Sequence, residues 1–259
     1  GLKLSEEAKA SVALHDDTLN LSLDGSSMLF LPLNDAEGCM ILSEYPFNVV
    51  LSPLQDAKDW INAPEDAREF TLLLSGGLIR RPSLILKNDQ GIYDRVAIYK
   101  SKKDEEPIIV LENNVFTPEV IDKAYVDDKF VTVNRNMRVL NIDPNGNSVK
   151  MWVSAAMKND VDILFHPRRL YKIITENVGF PPPACNIGAG DEQLIRDCMI
   201  KNWDYTMQWT ADAILTLLEE EDYQVVFTQA HNIDALGHML LRYLKERENS
   251  KLPAELYQE

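Results

Sequence analysis

The residues best placed to do chemistry lie in Tyr223-Gln224-Val225-Val226-Phe227-Thr228-Gln229-Ala230-His231-Asn232-Ile233-Asp234-Ala235-Leu236-Gly237-His238. The stretch begins as a short apolar run, passes through a polar turn and ends in Asp-x-x-x-His. A carboxylate oxygen and an imidazole nitrogen are both good ligands for a divalent ion such as zinc. Asp234 and His238, four residues apart at the predicted start of a helix, can aim at one point above the end of the preceding apolar run. In open α/β folds ligands bind at the carboxyl ends of strands. Gly237 leaves room for close approach of backbone or ligand. The other reading of the same residues makes Asp234 a helix N-cap, for which Asp is among the favoured types, and His238 an ordinary helix residue.

The elements around this stretch are of two kinds. From His15 to about Phe165 short apolar or alternating runs are separated by turn residues. Thr18–Leu23, Val49–Leu51, Phe70–Leu74, Ser83–Lys87, Tyr93–Tyr99 and Pro107–Leu111 read as strands. Phe130–Ile142 and Ser148–Val153 flank Asp143-Pro144-Asn145-Gly146, a hairpin turn with Pro and Gly at their favoured positions. Val131, Val133, Met137 and Val139 share one face of that strand by period-2 spacing. Thr117–Ala124, opened by Thr-Pro, reads as a short helix, and Leu4–Ala13 as a short helix or a frayed end. Beyond His166 the period lengthens. Pro167–Val178 has Pro at its first turn and Gly179 past its end. Apolar residues from Leu194 to Leu218 recur at helical spacing. Val225–Thr228 then reads as a buried strand and Leu236–Lys245 as a helix. The fold class is therefore mixed α+β. An antiparallel β-rich subdomain over 1–165 precedes a helical segment with one βα unit over 166–259.

Composition narrows the functions. The 259 residues carry a net charge of −15, with 45% hydrophobic and 26% charged residues. That field repels nucleic acid polymers, whereas a small phosphorylated substrate can still be bound where a metal or Arg cluster reverses the local potential. No apolar run approaches the roughly 20 residues that span a bilayer, and no segment near the start has the order of a secretory signal. A soluble chain without membrane insertion is expected. Cys39, Cys185 and Cys198 form neither a disulfide framework nor a Cys-x-x-Cys zinc pair.

Trp209-Thr210-Ala211-Asp212, Leu217-Leu218 and the run Val225 to His238 together resemble a segment of the type I phosphodiesterase/nucleotide pyrophosphatase family, within the alkaline phosphatase superfamily. The resemblance covers about Trp203 to Lys245. Members carry a helix, a hydrophobic strand and an Asp-x-x-x-His motif with Gly before the His. By position the resemblance assigns Asp234 and His238 to one of two divalent ions, commonly zinc. It implies a metal-dependent phosphoric ester hydrolase acting on a small phosphorylated substrate. The β-rich part would correspond to a cap inserted between the halves of the catalytic core. His231, Arg135 and Arg138 are the candidate substrate contacts, with Arg80, Arg81 and Arg95 as further guanidinium groups suited to phosphate. The family also uses a Thr or Ser nucleophile and a second Asp-His pair, and no segment here matches either. The expectation is a cap plus partial core, inactive alone, within a hydrolase parent. The alternative is a non-catalytic module that recognises a substrate or a partner.

Overall fold

A computed structural model of the chain describes residues 12–15, 18–22, 38–43, 48–52, 54–75, 78–160, 164–183, 185, 195–230 and 232–233, with side chains described from Ser52 onward. Strands come first: β1 (Val12–His15), β2 (Thr18–Ser22), β3 (Gly38–Ser43), β4 (Asn48–Ser52), β5 (Gln55–Asp56), β6 (Arg68–Leu74), β7 (Ile79–Lys87), β8 (Tyr93–Ile98) and β9 (Ile109–Glu112). They continue with β10 (Phe116–Val126), β11 (Lys129–Ile142), β12 (Ser148–Val153) and β13 (Met157–Lys158). Helix α1 (Arg169–Asn177), a π-helical turn (Ile195–Met199) and helix α2 (Ile200–Glu220) follow.

The strands form two sheets. The first runs β1-β2-β4-β3-β12-β11-β10, with β13 added to the edge of β11. Its pairings are antiparallel except β3 against β12, which is parallel. The second is an antiparallel meander, β5-β6-β7-β8-β9. The sheets share one core. Leu72, Leu74, Ile85, Val96, Ile98 and Leu111 come from the second, and Val120, Met137, Val139, Val149, Met151 and Val153 from the first. Successive strand side chains alternate between faces, so the period-2 spacing of these residues puts them on the two facing surfaces. Each buried Val, Leu, Ile or Met contributes about 1.5–3 kcal/mol. This mixed α+β architecture agrees with the sequence-based expectation of antiparallel sheets followed by helices.

The Asp143–Gly146 turn forms as expected. Gly146 takes φ +74°, and its amide donates to Asp143 O at 2.7 Å. A Cβ there would meet the Tyr93 ring at 2.6 Å, so Gly serves both conformation and packing. Thr117–Ala124 is not a helix. These residues lie in β10, paired with β11 from Val120↔Arg135 to Val126↔Lys129. Thr-Pro marks an irregularity rather than an N-cap: the register shifts between Thr117 and Val120, and Glu119 takes φ +57°. Burial of Val120, Asp122 and Ala124 between exposed Ile121 and Lys123 is the strand period. At the far end of the hairpin Asp127 and Asp128 both adopt positive φ (50° and 59°), the two-residue turn that matches strand twist. The open edge of β10 is closed by side chains. Tyr125 N donates to Ser75 Oγ at 3.1 Å, and Lys123 O accepts from Arg135 Nη1 at 2.9 Å. Strand β3 had no expectation attached to it. Val12–His15, at the end of the expected first helix, is strand, and the rest of that expectation lies outside the described residues.

The 54–66 loop is pinned onto the second sheet by one carboxylate. Glu69 accepts from Gln55 Nε2 (2.7 Å), Trp60 Nε1 (2.5 Å), Lys58 N (3.3 Å) and Lys102 Nζ (2.7 Å). Burial pushes this carboxyl up, but the donors from Lys102, Trp60, Gln55 and the Lys58 backbone outweigh it and hold the group below its ordinary value of 4.5. No helix among the described residues is long and apolar enough to cross a membrane.

Candidate functional site

The helical part of the chain docks onto β11 through polar side chains. From Val133 to Leu140 every residue of this strand is buried, on both faces. Odd positions Val133, Arg135, Met137 and Val139 turn toward the second sheet, and even positions Asn134, Asn136 and Arg138 toward the helices. Asn134 Nδ2 donates to Pro181 O at 3.2 Å, Asn136 Nδ2 to Asn202 Oδ1 at 2.5 Å, and Arg138 Nη1 to Asp197 O at 2.6 Å. The Asp197 carbonyl that Arg138 holds lies within the π-helical turn Ile195–Met199.

The same junction fastens the Pro-rich connection before α2. Trp209 Nε1 donates to Gly179 O (3.1 Å), Asn202 Nδ2 to Pro183 O (3.0 Å) and Trp203 Nε1 to Cys185 O (2.8 Å). Three carbonyls of this connection thus take their hydrogens from side chains of α2. Tyr205 OH donates to Glu119 Oε1 at 3.0 Å. Burial first, then the Glu119 charge, pushes the Tyr205 phenol well above its ordinary range. Gly179 has φ +107°, and any side chain there would collide with the Glu119 carboxylate.

Arg135 and Arg138 do not form a substrate clamp. They are three apart in one strand and so leave by opposite faces. Both are buried, at 3% and 7% exposure. Arg135 donates to Lys123 O and lies with Arg81 and Asp122. Arg81 grips Asp122 with Nη2 at 2.6 Å and Nε at 3.0 Å. Burial lowers the Arg135 guanidinium to about 10, against the pull of Asp122 and with the push of Arg81. Arg138 spends Nη2 on Asn114 O (2.9 Å) and Asn114 Oδ1 (2.5 Å). Both guanidinium groups are thus held by internal groups of the fold. Arg95 donates to Lys87 O at 2.6 Å and to Asp94 Oδ1 at 3.2 Å.

The C-terminal stretch departs from α2 beside an ion pair, Arg169 Nη2 to Glu221 Oε2 at 2.5 Å. Residues 225–230 have no strand or helix structure, and Val225 and Phe227 are 66% and 94% exposed. The buried strand expected at Val225–Thr228 is therefore not formed among the described residues, which include no partner strand beside it. Asn232 and Ile233 are helical, and Asn232 Nδ2 donates to Trp203 O at 3.3 Å. The chain thus returns from the end of α2 to its first turn, a distance of about 25 Å at 1.5 Å per residue. His231, Asp234 and His238, and the expected helix Leu236–Lys245, lie outside the described residues. Among the described residues no three His, Cys, Asp or Glu side chains group as a metal site. The donor chemistry of Asp234 and His238, one carboxylate and one imidazole, suits zinc as half of a four-coordinate set.

Buried Asn134, Asn136 and Asn202, and half-buried Glu119, Tyr205 and Asn232, are not among the residues to which the sequence points. Asn134-Arg135-Asn136-Met137-Arg138 is a polar run inside a strand, and the sequence alone does not distinguish its burial from solvent exposure. Compared with known protein families, curated proteins and solved structures, the chain matches none.

Proposed function

We propose that this chain is the cap and part of the core of a metal-dependent phosphoric ester hydrolase of the phosphodiesterase/nucleotide pyrophosphatase type. Asp234 and His238 hold one of two divalent ions, zinc being the best match to a carboxylate and an imidazole. The reading is carried by one observation, the Asp234-x-x-Gly237-His238 arrangement directly after an apolar run and a long helix. The tether of Asn232 to the first turn of α2 supports it, because it gives that loop a fixed point on a buried scaffold.

A bound ion at this position supplies Lewis acidity toward a phosphoryl oxygen. The chain's own residues have simpler tasks. Asp234 and His238 provide the ligand set, the latter as neutral imidazole. His231, on the same turn, is the candidate contact to a small phosphorylated substrate. The two-sheet β region forms the cap, with Arg135 and Arg138 as its internal struts. The isolated chain, with half of one ligand set and no assigned nucleophile, is proposed to be inactive on phosphate esters.

Hydrolysis of bis-p-nitrophenyl phosphate tests the proposal. The parent protein carrying this chain is expected to release nitrophenol, to stop when a chelator is added, and to lose at least a hundredfold in rate on Asp234→Asn, on the scale of a lost metal ligand. The chain alone should release none. Undiminished rate in Asp234→Asn, or turnover by the chain alone, would contradict it.

A further inference from the structure

We infer that the outward face of α2 is a docking surface for a basic amphipathic helix of a partner protein. The inference does not depend on the ion ligands proposed above.

A helix at the surface of a globular protein normally opposes a polar face to its buried one. Helix α2 does not. At about 100° per residue, Asn202, Tyr205, Trp209 and Ala213 share the side that meets the body of the protein. Asn202 and Ala213 are buried there, and Tyr205 and Trp209 donate to Glu119 and to Gly179 O. The opposite side carries Met207, Ala211, Leu215 and Leu218, within an arc of about 80° on the same count. All four are exposed, Leu215 at 56% and Leu218 at 46%. From Met207 to Leu218 the stripe is about 16 Å long at about 1.5 Å per residue, enough for a partner helix to lie along. A helix apolar on both sides is one that is covered on both.

The charge around the stripe selects the occupant. Asp204, Asp212, Glu219 and Glu220 are the acidic residues of α2, and Lys201 is its sole basic one. Glu219 and Glu220, both exposed, stand at the negative end of the helix dipole, and the last turn holds no basic residue. Arg169 pairs with Glu221, just past that end. Lys or Arg residues flanking the apolar stripe of an incoming helix would meet these carboxylates and the end of the dipole together. A second copy of this chain would instead bring the same acidic rim, on a chain of net charge −15. An anionic bilayer surface attracts basic amphipathic helices, not acidic ones.

Fluorescence anisotropy on the full chain tests this, with a labelled Leu/Lys peptide whose Leu residues recur at helical spacing. The controls are a peptide of the same composition in alternating order, which has no helical apolar face, and a Leu/Glu peptide of the first pattern. The wild type is expected to bind the Leu/Lys helix saturably and both controls more weakly. Leu215→Gln with Leu218→Gln should lower that affinity roughly tenfold or more, the scale of two apolar side chains no longer buried. Glu219→Gln with Glu220→Gln should lower it about threefold and flatten its dependence on salt. Thermal unfolding of both double variants should stay close to wild type, because the substituted side chains are exposed. Absence of binding, equal affinity for the alternating peptide, or an unchanged affinity in the Leu variant would overturn the inference. So would preference for the Leu/Glu peptide. Self-association of the wild type in sedimentation velocity, lost in the Leu variant, would assign the face to a second copy and overturn it as well.

Discussion

Two short stretches of this molecule invert the usual relation between residue type and burial. Asn134–Arg138 is polar at four of five positions and wholly buried; Val225–Phe227 is apolar, yet two of its three residues are largely exposed. The difference lies in what covers each. The first sits where the second sheet packs on one face of β11 and the Pro-rich connection with α2 packs on the other. Asn134, Asn136 and Arg138 bond to partners on the helical side, and Arg135 to Lys123 O of the neighbouring strand β10. The second has no neighbouring strand among the described residues, so its hydrophobicity is not expressed as burial. Polar residues in a strand can thus be buried where partners are brought to them, while an apolar run is only a capacity for contact.

The contrast can be broken most forcefully at Asp122. Arg81 grips this carboxylate and the nearby Arg135 guanidinium feels its charge, so removing it leaves positive charge uncompensated. Asp122→Ala is expected to cost about 3–5 kcal/mol by urea unfolding; a cost near zero would mean that the buried guanidinium groups are relieved by water. Asn202→Leu strands Asn136 Nδ2 and Pro183 O, each worth about 1–3 kcal/mol when buried without a partner. Its midpoint in urea should fall accordingly. Gly179→Ala meets both a positive φ and the Glu119 carboxylate, for an expected loss of about 2 kcal/mol.

Glu69 sharpens the comparison through pH. Its carboxyl is held below 4.5 in the folded state, so its contribution is fully present above that value and is lost as pH falls through the lower folded value. Wild-type stability should therefore decline on the acid side more steeply than that of Glu69→Gln. At pH 7 that variant should be less stable by about 1–2 kcal/mol, the loss of charge-assisted bonds. At the other end of the scale, Phe227→Ser should leave stability within about 0.5 kcal/mol of wild type. A larger loss would show that this side chain is buried in solution.

Much of the β architecture was legible in the sequence, because alternation and turn chemistry are local. Asp143–Gly146 announced its hairpin, and the core face of β11 followed from the spacing of Val133, Met137 and Val139. What misled was also local. Thr117-Pro118 has the composition of a helix start, and only the pairing with β11 turns it into a bulge at Glu119. That Arg135 and Arg138 point to opposite sides follows from their being three apart in a strand. The docking of Asn202, Trp203 and Asn232 was not legible. It depends on the Pro-rich connection presenting carbonyls without amides, and on the return of the chain to the first turn of α2.

The central claim is that Asp234 and His238 share a divalent ion. Anomalous diffraction at the zinc edge from crystals of the zinc-loaded chain tests it most directly. The account predicts a peak about 2.0–2.2 Å from an Asp234 carboxylate oxygen and from an imidazole nitrogen of His238, lost in Asp234→Ala. A peak at His15 or His166 alone, or none, would contradict it.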